Sequence, residues 1–555
     1  MSIFIILLKQ SRWLLASAMA CSLVYGLVSV VLIAEINTAL TSPGASLAGS
    51  IGAFAALAVA MLATQVTSGV LFTQLSQHTL ANLRLHISRR VIGASYQRLE
   101  ETGAARVQAL LSDDTSNVAA FFVGLPVLLA NGAIVIGCFA YLSSLSGTIF
   151  LLACAVVLLG SLGYHLAHGR VIRYLQRAGD DQDQLFRHFE AMVKGAKELK
   201  LNRHKADAFA SDVLSSSIHA VRVNRALGMS LFSVAAGWGR FLFFVLIGLA
   251  LSSPLWQGHV DARVITGYVI VFLYVMAPLE NLLQHIPLFN LAKVSSDRIE
   301  EVTGALAGAE APAGAAERRP WNGPATDLVL EGVMHRYYRE REDQMFTLGP
   351  IHLHLRAGEL VFLVGSNGCG KTTFAKLLLG LYAPESGRIL LDGVEVDDGN
   401  RDHYRQTFSA IFADFHLFDS LTGAPSERLD DRGNEWLRRL QLDHKVTLEN
   451  GAFSTRDLSQ GQRKRLALVA TCLEDRPFLV FDEWASDQDP AFRDVFYREI
   501  LPDLRARGKT VLVISHDDRY FHLGDRLIRM EDGRIAGEER FDPPRAADAR
   551  LVEAA

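Results

Sequence analysis

The chain has 555 residues, too many for one ordinary domain. Half of them are hydrophobic, and 55 basic residues against 59 acidic ones leave a net charge of −4, so the balance gives no support to a nucleic-acid partner. A mean hydropathy of +0.20 is high for a soluble enzyme.

The average conceals an asymmetry. Long apolar runs fill about the first 300 residues, whereas the remainder reads as a soluble α/β protein. Of five cysteines, Cys21, Cys138 and Cys154 lie in apolar runs and Cys369 and Cys472 in the later half, with no CxxC pair. Neither a disulfide framework nor a zinc site is expected.

A membrane-crossing helix needs about 20 mostly apolar residues. Six stretches qualify, at 13–34, 50–73, 121–142, 147–167, 227–251 and 263–283. The run after Arg12 is long enough to span and is not followed by a clear small-residue cleavage site, so no cleavable signal is expected. Between spans two and three lie Arg84, Arg89, Arg90, Arg98 and Arg106, and between spans four and five a longer basic series from Arg170 to Arg225. The alternate loops are short and carry no Lys or Arg except Arg263 near a span end. The positive-inside rule then puts both termini and both long loops in the cytoplasm. Those loops exceed simple connectors, and their periodic apolar positions predict helices continuing beyond the membrane.

Arg240, in Gly237-Trp-Gly-Arg-Phe-Leu-Phe-Phe244, is the odd residue within the spans. A charge there is costly, which makes it a substrate-pathway candidate for an anionic or peptidic ligand; pairing to a carboxylate or snorkelling to an interface is the competing account. Glu280 and His285, beside Pro278, are weaker candidates that a capped or kinked helix end explains as well. A small-residue and proline-rich linker at 304–326 separates a domain at 1–303 from one at 327–545, with a short tail at 546–555.

In the later half, Leu360-Val-Phe-Leu-Val364 reads as a buried strand running into Gly365-Ser-Asn-Gly-Cys-Gly-Lys-Thr-Thr373, which opens a helix. This is G-x-x-x-x-G-K-T in strand–loop–helix context. Glycines Gly365, Gly368 and Gly370 let the N–H groups of Ser366, Asn367, Cys369 and Thr373 curl around phosphate oxygens at a helix start. Lys371 then reaches the β- and γ-phosphates and the Thr372 hydroxyl ligates Mg2+. A second strand, Phe478-Leu-Val-Phe481, ends in Asp482-Glu483, where one carboxylate holds Mg2+ and the other polarises an attacking water.

Leu458-Ser-Gln-Gly-Gln462 closely resembles the signature of ATP-binding-cassette proteins, and Thr510-Val-Leu-Val-Ile-Ser-His516 resembles that family's last core strand with its switch histidine. Ala485-Ser-Asp-Gln-Asp489 is similar to the segment touching a partner cassette, and Glu101–Asp114 resembles an exporter's first coupling loop. The resemblance implies a multi-domain membrane protein, in which a six-helix transmembrane exporter domain precedes an α/β P-loop ATP-binding-cassette domain. ATP and Mg2+ are the implied cofactors. Two copies sandwich two ATPs, each between one chain's phosphate loop and the other's Ser459, Gln460, Gly461 and Gln462, with Asp489 nearby. Glu483 is the implied general base, His516 contacts the γ-phosphate, and Tyr337, or Tyr338 in its place, stacks on adenine.

One departure stands out. Where the family carries a glutamine, Ile411-Phe-Ala-Asp-Phe-His-Leu-Phe418 places Ala413, followed by Asp414, so that the metal contact is either lost or taken over by Asp414. Gln460 also replaces a commoner glycine. With Lys371, Asp482, Glu483 and His516 retained, hydrolysis is expected. Lys197–Arg203 and Phe481–Pro490, which includes Trp484, resemble a bacterial branch exporting cyclic peptides, peptide siderophores and lasso-peptide microcins. The resemblance implies such a cargo, a bacterial inner membrane and contact with its lipid, and leaves open a periplasmic or outer-membrane partner. A lipid or multidrug exporter is the nearest alternative, and an ATP-gated channel or sensor a more distant one.

Overall fold

A computed structural model describes residues 12–41, 47–251, 262–306, 326–339, 344–421 and 428–541. The chain divides into two compact units, Met1–Ser88 with Ala105–Val302, and Arg89–Ala104 with Thr303–Ala555. The predicted linker falls mostly outside the described residues, as does the tail; the helix before the linker runs through Leu306.

The first unit is built from long helices: α1 (Arg12–Thr41), α2 (Leu47–Ile92), then, beyond the short α3 (Tyr96–Thr102) that belongs to the second unit, α4 (Thr115–Leu145), α5 (Gly147–Lys194), α6 (Ser215–Leu251) and α7 (Ala262–Leu306). Five helical runs of the described residues are long and apolar enough to cross a membrane, at Arg12–Thr41, Ile51–Ile92, Ala104–Leu145, Arg203–Leu249 and Arg263–Leu306. The predicted span at 147–167 lies in α5, where most side chains between 148 and 168 are outside the described set. With 46 residues, α2 measures about 70 Å at a helical rise of about 1.5 Å. That is more than twice a hydrocarbon core of about 30 Å. The helices therefore extend well past any bilayer, as the periodicity of the long loops predicts.

Lipid supplies no hydrophobic force between helices, so close packing and interhelical hydrogen bonds must hold them. Accordingly α1 lies along α4 through small residues. A Cβ on Gly26 would stand 2.5 Å from the Ala133 Cβ, and one on Gly137 2.7 Å from Val30 Cγ2. Asn37 donates to the Tyr141 hydroxyl at 2.9 Å, and the Tyr268 hydroxyl donates to the Leu142 carbonyl at 2.7 Å. Ile134, Cys138, Phe243, Leu246, Val271 and Phe272 form the apolar centre of this bundle.

The second unit carries two sheets. An antiparallel sheet has the order β2-β1-β4-β5, from β1 (Asp327–Arg339), β2 (Gln344–Arg356), β4 (Ser386–Leu391) and β5 (Val394–Glu395). The larger sheet runs β12-β11-β3-β10-β9-β6, from β3 (Leu360–Gly365), β6 (Phe408–Ile411), β9 (Phe478–Asp482), β10 (Thr510–Ile514), β11 (Arg526–Glu531) and β12 (Arg534–Arg540). Leu448–Glu449 and Ala452–Phe453 form β7 and β8 of a small hairpin. All the larger sheet's pairings are parallel except β11 with β12. Every residue of β9 and β10 is buried, as parallel strands covered on both faces require. Helix α8 (Lys371–Leu378) packs on the face shared with the antiparallel sheet, and α9 (Gln460–Glu474) on the other. Register pairs Ile514 with Asp482 and with Leu363, so β3, β10 and β9 end side by side and their following residues meet at one edge.

Candidate functional site

Gly368 and Gly370 take φ of 81° and 101°, left-handed values that a side chain disfavours, and this allows the loop after β3 to curl into α8. Ser366, Asn367 and Gly368 form its exposed rim, while Cys369 and Gly370 are buried. The side chain of Lys371 is drawn inward, and its ammonium donates to the carbonyls of Gly365 at 2.8 Å and Ser366 at 3.0 Å. Thr373 follows in the first turn of α8, where N–H groups lack helical partners and favour an anion.

Across from the loop, at the tip of β9, the Thr372 hydroxyl donates to Asp482 Oδ2 at 2.9 Å. Asp482 Oδ1 is buried and has no hydrogen-bond partner among the described residues. Burial pushes the Asp482 carboxyl above its usual range, the Thr372 hydrogen bond works against this, and the charge of Glu483 adds to it. A buried carboxylate with an idle oxygen beside a hydroxyl fits a small divalent cation. Mg2+ is commonly bound by one or two such groups together with substrate phosphates. Among the described residues no three His, Cys, Asp or Glu side chains converge as a cage, so a metal here depends on phosphate oxygens to complete its shell.

Glu483 has φ of 51° and so holds a strained, left-handed backbone. Its carboxylate lies 3.4 Å from His516 Nε2, and both side chains are partly exposed. His516 leaves the end of β10 beside Ser515, whose hydroxyl is shared with Tyr497 at 2.8 Å and with the Asp517 N–H at 3.1 Å. Glu483, Ser486, Arg493, Ser515, His516 and Asp517 line one open cleft. Lysine, hydroxyl, two carboxylates and imidazole thus gather at the ends of three adjacent strands, an arrangement able to bind a triphosphate and direct water at it.

The remaining predicted residues lie around this centre. Tyr337 on β1 packs on Phe346 at 5.4 Å between ring centroids, and Phe346 in turn covers the loop at Gly370. The side chain of Tyr338 is outside the described set. Ala413 and Asp414 form an exposed turn after β6, which pairs with β9, and the Asp414 charge is felt at Asp482. Asp414 does not, however, close a three-carboxylate group with Asp482 and Glu483.

Ser459 caps α9 in a reciprocal box with Gln462, and Ser459 and Gln460 are exposed. The bonds of this helix start run to its own segment 483–489. Gln460 donates to Asp487 at 3.1 Å, Gln488 donates to the Gly461 carbonyl at 3.0 Å, and Arg465 pairs with Asp489 at 2.5 Å. The signature residues are therefore gathered beside the 483–489 segment.

In the membrane unit, Arg240 on α6 meets Glu280 on α7 at 2.5 Å, the carboxylate pairing weighed for it above. Glu280 Oε1 nonetheless has no aligned hydrogen bond among the described residues, so the pair is held by charge more than by direction. His285 bonds the Asn281 carbonyl one turn back, at 2.7 Å, and packs against Gly124.

Two groups escaped the sequence reading. Lys464 is buried beneath Glu483; its spacing of four from Gln460, one helical turn, was the available signal. Glu100, on α3, accepts from Lys376 at 2.9 Å and from the Tyr382 hydroxyl. Burial opposes the Lys376 charge, but Glu100 outweighs it and holds the ammonium above its usual range. His335 stacks on Tyr382 at 4.7 Å, and burial keeps its imidazole below the usual range.

The ABC transporter family matches residues 348–486, and the ABC transporter transmembrane region matches residues 12–207. The ATP-binding protein SyrD of Pseudomonas syringae pv. syringae is 33% identical over 97% of this chain and 96% of its own. An ATP-dependent lipid A-core flippase of Ralstonia nicotianae is 28% identical over 84% of this chain and 80% of its own. The structure of a bacterial Atm1-family ABC exporter with ATP bound superposes with a TM-score of 0.74 at 16% identity, covering 98% of this chain and 96% of that one.

Proposed function

The chain belongs to the ATP-binding-cassette transporter family, a multi-pass membrane protein with an ATPase domain, and from that premise we propose that two copies assemble into an exporter of a peptide-like cargo across a bacterial inner membrane. Both termini are then cytoplasmic, in line with the basic long loops. The reading is carried by the convergence of Lys371, Thr372, Asp482, Glu483 and His516 at one sheet edge. Ser459 and Gln460 stand exposed at the start of α9, Gln460 bonded to the chain's own segment 483–489, and in this reading they serve the nucleotide of a second copy.

In this reading Tyr337 stacks on adenine, and N–H groups from Ser366 to Thr373 take the phosphates. Lys371 exchanges its two carbonyl partners for the β- and γ-phosphates. Thr372, Asp482 and, from the turn after β6, Asp414 hold Mg2+, which when bound neutralises charge on the phosphate oxygens. Glu483 accepts a proton from water as the water oxygen attacks the γ-phosphorus, and the bond to the bridging oxygen of ADP breaks. His516 contacts the γ-phosphoryl group. Ser459, Gln460, Gly461 and Gln462 of the partner subunit close over the same nucleotide. ATP favours the closed pair of cassettes and hydrolysis removes that bias.

For cargo, Arg240 and Glu280 offer both charges at one place within the spans, suited to a molecule bearing carboxylate and amine groups. The segments Lys197–Arg203 and Phe481–Pro490 support the peptide and siderophore class. The flippase relatives favour a lipid as the second reading.

ATP turnover of the purified protein in lipid, wild type against Glu483→Gln, tests both levels. We expect turnover in the wild type only, raised by cyclic peptides or peptide siderophores. Stimulation by lipid A-core glycolipid alone would replace the cargo class. Equal turnover in both proteins would remove Glu483 as the base.

A further inference from the structure

Lys464 is 1% exposed, and the chemistry above makes no use of it. Its ammonium donates to the Glu483 carbonyl at 3.1 Å and to Ser486 Oγ at 3.4 Å, and lies 2.7 Å from Asp487 Oδ2. The same carboxylate oxygen accepts from the Gln460 side chain at 3.1 Å. Gln460 and Lys464 are one turn apart on α9, so a continuous polar chain runs from the exposed start of the signature helix to the main chain of Glu483.

The backbone of Glu483 needs such support, because a non-glycine residue at φ of 51° persists only where its surroundings over-determine it. Its N–H donates to the Ile514 carbonyl at 3.0 Å. Its carbonyl accepts from Lys464, from Ser486 Oγ at 2.7 Å and from the Ser486 N–H at 3.2 Å. The helix start is equally committed. A Cβ on Gly461 would stand 2.8 Å from the Asp487 carbonyl, and Trp484 Nε1 donates to the Lys464 carbonyl at 2.9 Å. Residues 459–465 and 483–489 are thus joined at several points.

We propose that Gln460, Asp487 and Lys464 form a relay that positions Glu483 from the signature helix, with Lys464 and Asp487 as positioning residues for hydrolysis. The proposal rests on the two-copy reading. There the start of α9 touches nucleotide in the partner subunit's phosphate loop, while Glu483 serves nucleotide in its own. Engagement of one nucleotide therefore sets the carboxylate that acts on the other. Gln460, which replaces the commoner glycine, supplies the first link and gives this chain a connection that glycine has no side chain to make.

The test is ATP turnover against ATP concentration for the full chain in lipid particles, with the number of chains per particle measured by mass. The proteins are wild type, Gln460→Gly, Lys464→Met and the double variant Lys464→Met/Asp487→Asn. The double variant removes the buried charge pair together, so that a thermal midpoint near wild type separates positioning from folding. Two coupled sites give a Hill coefficient of about 1.5–2 for the wild type, falling to about 1 in the variants. A misplaced base lowers kcat about tenfold or more, with half-saturating ATP within about twofold of wild type. One chain per particle would overturn the two-copy reading, and the relay with it. Two chains per particle, with a hyperbolic wild type or with wild-type cooperativity and kcat in Gln460→Gly and the double variant, would overturn the relay alone.

Discussion

Charged side chains are held on different terms in the two halves of the chain. In the cassette Lys371 is held by two carbonyls and Arg465 by Gln488 and Asp489, while the main chain of Glu483 is held by Lys464, Ser486 and Ile514. In the membrane unit Arg240 has one ion pair among the described residues, to an oxygen that forms no aligned hydrogen bond. Groups bound by several partners cannot move without cooperative loss, which suits chemistry that must not vary. A group with one loosely directed partner is ready to exchange it. The difference teaches where this molecule tolerates change: at the singly paired Arg240 before the multiply held Lys371 and Arg465.

Three substitutions sharpen or break that contrast. Lys371→Ala deletes the charged donor proposed to take the phosphates and is expected to lower ATP turnover about 10²- to 10³-fold, read as phosphate release in lipid. Turnover above a tenth of wild type would mean that the loop amides suffice. Asp414→Ala is expected to raise the Mg2+ concentration for half-maximal turnover about tenfold, since metal-orienting groups are commonly worth that much. An unchanged Mg2+ titration would leave Ala413 uncompensated. Arg240→Ala is expected to raise the cargo concentration for half-maximal stimulation about tenfold, the loss of one charge-assisted contact of about 1.5 kcal/mol. If it lowers expression or thermal stability instead, the pair with Glu280 serves assembly and the contrast fails.

The phosphate loop was legible because its chemistry dictates backbone shape: Gly368 and Gly370 mark left-handed positions that other residues avoid. The buried strands β9 and β10 were legible because each carries an unbroken run of four apolar residues, Phe478–Phe481 leading into Asp482 and Val511–Ile514 leading into Ser515 and His516. Long-range polar contacts were not. Glu100 and Lys376 are 276 residues apart, and neither position carries a local pattern that names its partner. The burial of Lys464 was hidden for a related reason, since Arg463-Lys-Arg465 reads as a solvated charge run until the segment 483–489 folds over it. In the membrane half, apolar runs report crossing and little else. The pairing of α1 with α4 depends on Gly26 and Gly137, whose role emerges only once the neighbouring helix is in place.

Helix α8 is eight residues long. It begins at Lys371 and carries Lys376 little more than one turn later, where the ammonium lies over the rings of Tyr96 and Tyr382 and bonds Glu100. Little more than one turn of helix therefore separates the loop after β3 from the Tyr96 and Tyr382 rings, and a change at Lys376 falls within the same short rod that begins at Lys371.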